Sequence, residues 1–132
     1  MRNPAKDEET ERLAAAIVDA TFNVHHALGP GLLETVYETC LCHELTLGKI
    51  SFKRQVSIPI VYEGVNPDAG LRLDILVADR IVVEIKAVGK LIPLFEAQLL
   101  TYLNLKLTEL DLGLLINFNV PLIKNGVRRI VR

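Results

Sequence analysis

The sequence predicts an α+β (mixed α/β) fold, a mixed central β-sheet flanked by helices in the order ααβββαββ. Three observations carry this. Apolar residues recur at steps of three and four in the first third of the chain, the period of a buried helix face. From Ile50 the period falls to two and β-branched residues become frequent, as in strands. Helical spacing returns once, around Phe95, before two further strand-like runs, the pattern of a helix that crosses back to its sheet.

In "ERLAAAIVDATFNVHHAL", Leu13, Ile17, Ala20, Val24 and Leu28 share one helical face. "LGPG" then ends the helix: Gly29 serves as a C-terminal cap, Pro30 cannot extend the ladder, and Gly31 opens the next element. Leu33, Val36, Tyr37, Cys40, Leu41 and Leu45 form a second apolar face, closed by Gly48. "ISFKRQVSIPIVYEG" reads as one strand or two, with Pro59 at an edge or bulge, and "VNPDAG" as a turn. "LRLDILV" and "IVVEIKAV" are strands joined through Ala78, Asp79 and Arg80. "LIPLFEAQLLTYLNLKL" is a helix facing inward through Phe95, Leu99 and Leu103, and ends before "TELDLG". "LGLLINFNV" is a buried strand, "PLIKNG" a turn, and "VRRIVR" a short last strand. Residues 1–132 are expected to form one domain, with 1–11 a flexible or frayed lead.

A chain of 132 residues, half of them hydrophobic and 23% charged, buries a core unaided and is not disordered. It contains no run of 18 apolar residues and starts on the polar "MRNPAKDEETER", so no membrane partner is expected and the protein reads as soluble and cytoplasmic. Cys40 and Cys42, two apart on a helix, diverge and read as reduced thiols; His43 has no second cluster with which to complete a zinc site. Charge is uneven. Residues 1–48 hold three Lys/Arg against eight Asp/Glu, and residues 49–132 hold twelve against eight, so the second part is the better match for a polyanion.

The hairpin carries the chemistry. A two-residue loop would oppose Leu73 to Glu84, whereas a loop of Ala78 to Arg80 opposes Val77 to Ile81, Ile75 to Val83 and Leu73 to Ile85, leaving one face wholly apolar. The same register sets Asp74 across from Glu84, with Lys86 beside it. Two carboxylates about 5 Å apart repel unless a cation or proton lies between them. A hard divalent ion, Mg²⁺ or Mn²⁺, suits such a pair, and the Ile85 carbonyl is a plausible further ligand. Lys86 would then hold or help deprotonate the attacking water, or neutralise charge on phosphorus. An ion-pair cluster on a solvated sheet face accounts for the same three residues equally well.

Asp74 followed by "VEIKA" resembles the D...(D/E)xK signature of the PD-(D/E)XK nuclease superfamily, read as Asp74, Glu84 and Lys86. "QLLTY" supplies Gln98 and Tyr102, similar to the QxxxY motif of several of its branches; "GLLETVY" supplies Gly31, Glu34 and Tyr37, similar to the GxxExxY motif of one bacterial family within it. The resemblance implies a restriction-endonuclease-like core and a Mg²⁺-dependent nuclease. Asp74 and Glu84 would be the main metal ligands, Glu34 an additional carboxylate, Lys86 catalytic and Gln98 a site residue on the crossover helix. It implies a nucleic-acid partner, DNA ahead of RNA, and a homodimer would offer two sites to a duplex. A non-catalytic nucleic-acid-binding or protein-interaction module with the nuclease fold is the alternative. Glu34 also suits a helix N-terminus whatever its role, and Gln98 lies among apolar neighbours. Tyr37 and Tyr102 read as packing residues with hydrogen-bonding tips, and His25 and His26 as capping or surface residues. Gln55, Arg72 and Lys90 are candidate phosphate contacts, and Arg128, Arg129 and Arg132 a candidate basic edge.

Overall fold

The spacing in the first third of the chain folds as two helices, α1 (Pro4–Leu28) and α2 (Glu34–Leu47). This is a computed structural model that describes residues 4–105 and 110–132, with side chains from residue 8 onward. The lead expected to be flexible over 1–11 is helical from Pro4. Proline fits a first helical turn, where its missing N–H is no loss. Further along, Arg12 pairs with Glu9 one turn back, and Glu11 pairs with Arg129 at the far edge of the sheet, so this part of the lead is tied down at both short and long range.

Leu13, Ile17, Ala20 and Val24 of α1 are buried as the spacing requires. On α2 the inward face is Tyr37, Glu38, Leu41, Cys42 and Leu45, rotated from the expected one: Leu33 and Val36 are exposed and Cys42 is inside. The rotation follows Glu38, whose carboxylate is drawn inward by Arg54 and Gln55 of the first strand. Both cysteines are free thiols, and burial pushes that of Cys42 up to about 11, far from a reactive thiolate.

Five strands follow: β1 (Phe52–Ile58), β2 (Leu71–Val77), β3 (Ile81–Lys86), β4 (Leu112–Asn117) and β5 (Val127–Val131). They lie in chain order, antiparallel throughout except for β3 and β4, which run parallel because α3 (Pro93–Leu105) carries the chain back across the sheet. The expected order ααβββαββ is the observed one, with a single 3₁₀ turn at Ile123–Asn125 before β5. "ISFKRQVSIPIVYEG" is one edge strand ending before Pro59, followed by an isolated Tyr62–Val65 bridge. The expected C-terminal end of α3 falls at 106–109, outside the described residues.

The sheet separates two apolar layers. One packs α1 and α2 against Ile75, Val77, Ile81, Val83, Ile85, Leu112, Leu114 and Ile116; the other packs Leu99 and Leu103 of α3 against Leu73, Leu76, Val82 and Leu115. α3 comes close to the sheet at Gly113, where a Cβ would stand 2.9 Å from the Leu99 side chain. Among the described residues no helix is long and apolar enough to cross a membrane. Three helices on a five-stranded mixed sheet make an α+β architecture consistent with a restriction-endonuclease-like fold.

Candidate active site

The β2–β3 turn takes the three-residue form that apolar matching demands. Ala78 and Asp79 adopt positive φ (51° and 54°), and Arg80 N–H closes the turn on the Val77 carbonyl at 2.9 Å. Val77 pairs with Ile81, Leu76 with Val82 and Ile75 with Val83. One step further this register brings Asp74 to Glu84, and there a side chain replaces the backbone as acceptor: Ile85 N–H donates to Asp74 Oδ2 at 2.8 Å, while Asp74 N–H points to Glu84 Oε1 at 3.4 Å. The two carboxylates occupy the seam between the strands.

Glu84 is only 7% exposed. Burial first, and then the adjacent Asp74 charge, push its carboxyl up to about 8 against the opposing pull of Lys86. Lys86 Nζ lies 3.9 Å from Glu84 Oε2 and 4.8 Å from the centre of the Phe95 ring, so α3 holds the ammonium from one side while Glu84 attracts it from the other. Tyr102, two turns further along α3, also senses the pair: burial, Glu84 and Asp74, in that order, hold its phenol above its ordinary value.

The strand carrying Asp74 is not regular. Phe52 packs with the α1/α2 layer but Val56 and Ile58 with the α3 layer, although all three stand at even spacing on β1. On β2, Ile75 and Val77 belong to the first layer while Leu73 and Leu71 belong to the second. Leu73 therefore does not share the apolar face of Ile75 and Val83, contrary to the simple alternation. Both strands change faces at Gln55 and Asp74, the step that lies between the Arg54–Ile75 and Val56–Leu73 pairs. Gln55 has φ of 52°, the left-handed region where a non-glycine residue is uncommon.

The remaining candidates lie on other elements of the fold. Glu34 is exposed in the first turn of α2, one turn before buried Glu38 and on the same helix face. Gln98 is exposed on α3, one turn before Tyr102. Among the described residues no group of three or more His, Cys, Asp or Glu is gathered as a metal cluster, so Asp74 and Glu84 stand as a pair. Gln55 is engaged with Glu38, while Arg72 and Lys90 are exposed. Arg128, Arg129 and Arg132 do not form an open basic edge: they pair with Glu96, Glu11 and Asp111. Tyr37 is structural, its hydroxyl donating to the Gly29 carbonyl (2.6 Å) and accepting from Leu32 N–H (3.0 Å) while its ring stacks on Phe118 at 4.5 Å. His26 is exposed; His25 is buried with Nε2 2.7 Å from the Val120 carbonyl.

Sequence reasoning missed two groups of residues. Asn117 sits beside Lys86 in the parallel register, and its amide accepts from Val88 N–H and donates to the Val88 carbonyl, both at 3.0 Å, fixing the chain just after Lys86. An asparagine closing the apolar run "LGLLIN" was its signal. Glu38 and Arg54 had none, since their partnership spans sixteen positions.

Two carboxylates in a partly dry seam, one of them strongly resisting ionisation, form a donor set that a hard divalent cation fits. No curated protein and no solved structure matches the chain. The model of the PD-(D/E)XK nuclease superfamily matches residues 11–130, which include most of α1, all of α2, the whole Asp74–Lys86 hairpin, β4 and nearly all of β5. The chain belongs to the PD-(D/E)XK nuclease superfamily.

Proposed function

We propose that the protein is a metal-dependent nuclease that hydrolyses nucleic-acid phosphodiester bonds at the seam between β2 and β3. The observation that carries this reading is the Asp74–Glu84 pair, whose mutual repulsion calls for a cation, with an ammonium beside it. PD-(D/E)XK nucleases generally use divalent metals. Mg²⁺ or Mn²⁺ would be held by Asp74, Glu84 and the Ile85 carbonyl, with Glu34 as an additional carboxylate from α2. When bound, such an ion supplies charge neutralisation at phosphorus and a water more acidic than bulk water.

The chain's own residues then have distinct tasks. Asp74 is oriented by the Ile85 N–H, which fixes one of its oxygens and leaves the other for a ligand. Lys86, restrained between Glu84 and the Phe95 ring, donates to the phosphate oxygen on which charge grows. Gln98, on the α3 face shared with Tyr102, orients the substrate or the water. DNA is the preferred substrate over RNA, in the bacterial GxxExxY branch that Gly31, Glu34 and Tyr37 match, and two copies of the chain would address two strands.

A second reading, a binding module that keeps the nuclease fold without cleavage, draws on two observations: Glu34 is exposed, and among the described residues the seam acids stand as a pair without a third. Calorimetric titration of Mg²⁺ and Mn²⁺ into the wild type and Asp74→Asn separates the two, with cleavage of single- and double-stranded DNA and RNA followed on the same samples. The nuclease reading expects metal binding and cleavage that are both lost in the variant. Nucleic-acid binding without cleavage, and without metal uptake even when nucleic acid is present, would replace it by the second reading.

A further inference from the structure

Glu38 is a buried acid that the proposed chemistry does not use, and both its oxygens are engaged. Oε2 accepts from Arg54, with Nε at 3.0 Å and Nη2 at 2.8 Å; Oε1 accepts from Gln55 Nε2 at 2.9 Å. Arg54 Nη2 also reaches Thr39 Oγ1 at 3.2 Å. Consecutive residues of a regular strand point to opposite faces of the sheet, so two of them cannot meet one carboxylate. Here they do, because Gln55 takes φ of 52° and swings its side chain to the side of Arg54. The clasp on Glu38 and the change of faces in β1 are thus one event. In the same step between the Arg54–Ile75 and Val56–Leu73 pairs lies Asp74, where β2 changes faces too and the Asp74 carboxylate, rather than a backbone carbonyl, receives Ile85 N–H.

We propose that Glu38, Arg54 and Gln55 form a positioning clasp that holds β1 in its left-handed step and thereby turns Asp74 into the seam beside Glu84. None of the three touches the reacting atoms. Their role is exerted through the strand they deform, and the inference rests on the nuclease reading only in naming Asp74 and Glu84 as the site served. Neither the buried charge nor the left-handed glutamine is favourable alone; each persists because the other is present.

The test uses the full chain as wild type, Gln55→Ala and Gln55→Gly, with amide hydrogen exchange followed by NMR and Mn²⁺ affinity measured by calorimetry. Gln55→Ala removes the Gln55 arm of the clasp, leaving the Arg54–Glu38 pair, and disfavours the left-handed step, so the Ile85 amide should exchange about tenfold faster while Ile81 and Val82 keep their protection. Mn²⁺ affinity should fall by a similar factor, and cleavage should lose kcat with KM for nucleic acid unchanged. Gln55→Gly, free to take positive φ, should recover part of all three. Unchanged Ile85 exchange and Mn²⁺ affinity in Gln55→Ala would overturn the clasp, as would equal acceleration of every sheet amide. A raised KM with exchange and affinity intact would overturn it too, marking Gln55 as a substrate contact. If the wild type neither binds Mn²⁺ nor cleaves, yet Ile85 responds as stated, the clasp stands and the nuclease reading fails.

Discussion

The two ends of the β2–β3 hairpin are a few residues apart and obey opposite rules. Near the turn, Val77 faces Ile81 and Ile75 faces Val83, each fully or almost fully removed from water and joined by backbone pairing. At the open end half-buried Asp74 faces buried Glu84, and a carboxylate has taken the place of a carbonyl in the ladder. Burial stabilises the first end and opposes the second. A seam whose charges are unfavourable by themselves is one that gains most from a bound cation, and the rigid apolar end keeps it from relaxing.

Changing Lys86→Ala should sharpen that contrast most. Cleavage is expected to fall about a thousandfold, the scale of losing one charge-stabilising donor, while the unfolding midpoint stays near the wild type. Retained cleavage would remove Lys86 from the chemistry. At the turn end Ile81→Ala should do the reverse, lowering stability by about 3 kcal/mol through lost contacts and a cavity while cleavage per folded molecule is kept. A comparable collapse of activity there would mean that the two ends are not separable.

Acidity distinguishes them next. In the unfolded chain Glu84 titrates near 4.5, and in the fold its carboxyl rises to about 8. Between those values the native state keeps a proton that the unfolded state has released. The stability this lends the metal-free protein is complete below about 4.5 and is lost as pH climbs through about 8. On the nuclease reading Mg²⁺ would replace the proton, so saturating Mg²⁺ should flatten the decline and Mg²⁺ affinity should rise over the same window. Urea midpoints from acid to alkaline pH, with and without Mg²⁺, check this; parallel declines would argue against cation binding at the seam. The smallest effect belongs to Gly113→Ala, expected to cost about 1–2 kcal/mol by pushing Leu99 and α3 off the sheet, with a modest loss of activity through Phe95. An unchanged melting temperature would show that α3 yields without strain.

How much of this was legible follows from sequence distance. The hairpin register was readable because one three-residue loop alone matches apolar to apolar, and that match sets Asp74 against Glu84. Tyr37 and Phe95 were readable from helical spacing. The change of faces at Gln55 was not: Phe52, Val56 and Ile58 keep perfect alternation in the sequence while occupying both layers, because a backbone torsion set by Glu38 on another element decides the outcome. For the same reason α2 was rotated, since an acid in its sequence reads as solvent-facing until Arg54 is known to reach it. The arginines of the last strand looked like an open basic edge because Glu11, Glu96 and Asp111, their partners, are separated from them in the chain.

β3 has two neighbours, reached by connections of very different length: three residues lead back to β2, and the 25 residues from Ala87 to Asp111 lead on to β4. Loop closure makes the second event costlier by about 2 kcal/mol. The refolding chain is therefore expected to join Asp74 to Glu84 early, while both are still hydrated, and to cover Glu84 later as α3 and β4 dock. That docking is the step that must dehydrate a charge, so it should proceed faster in acidic solution, where more of the still-hydrated Glu84 is protonated, than in alkaline solution. Stopped-flow refolding across that range would show a rate falling with pH if the site is closed last, and a flat profile if the seam is buried from the outset.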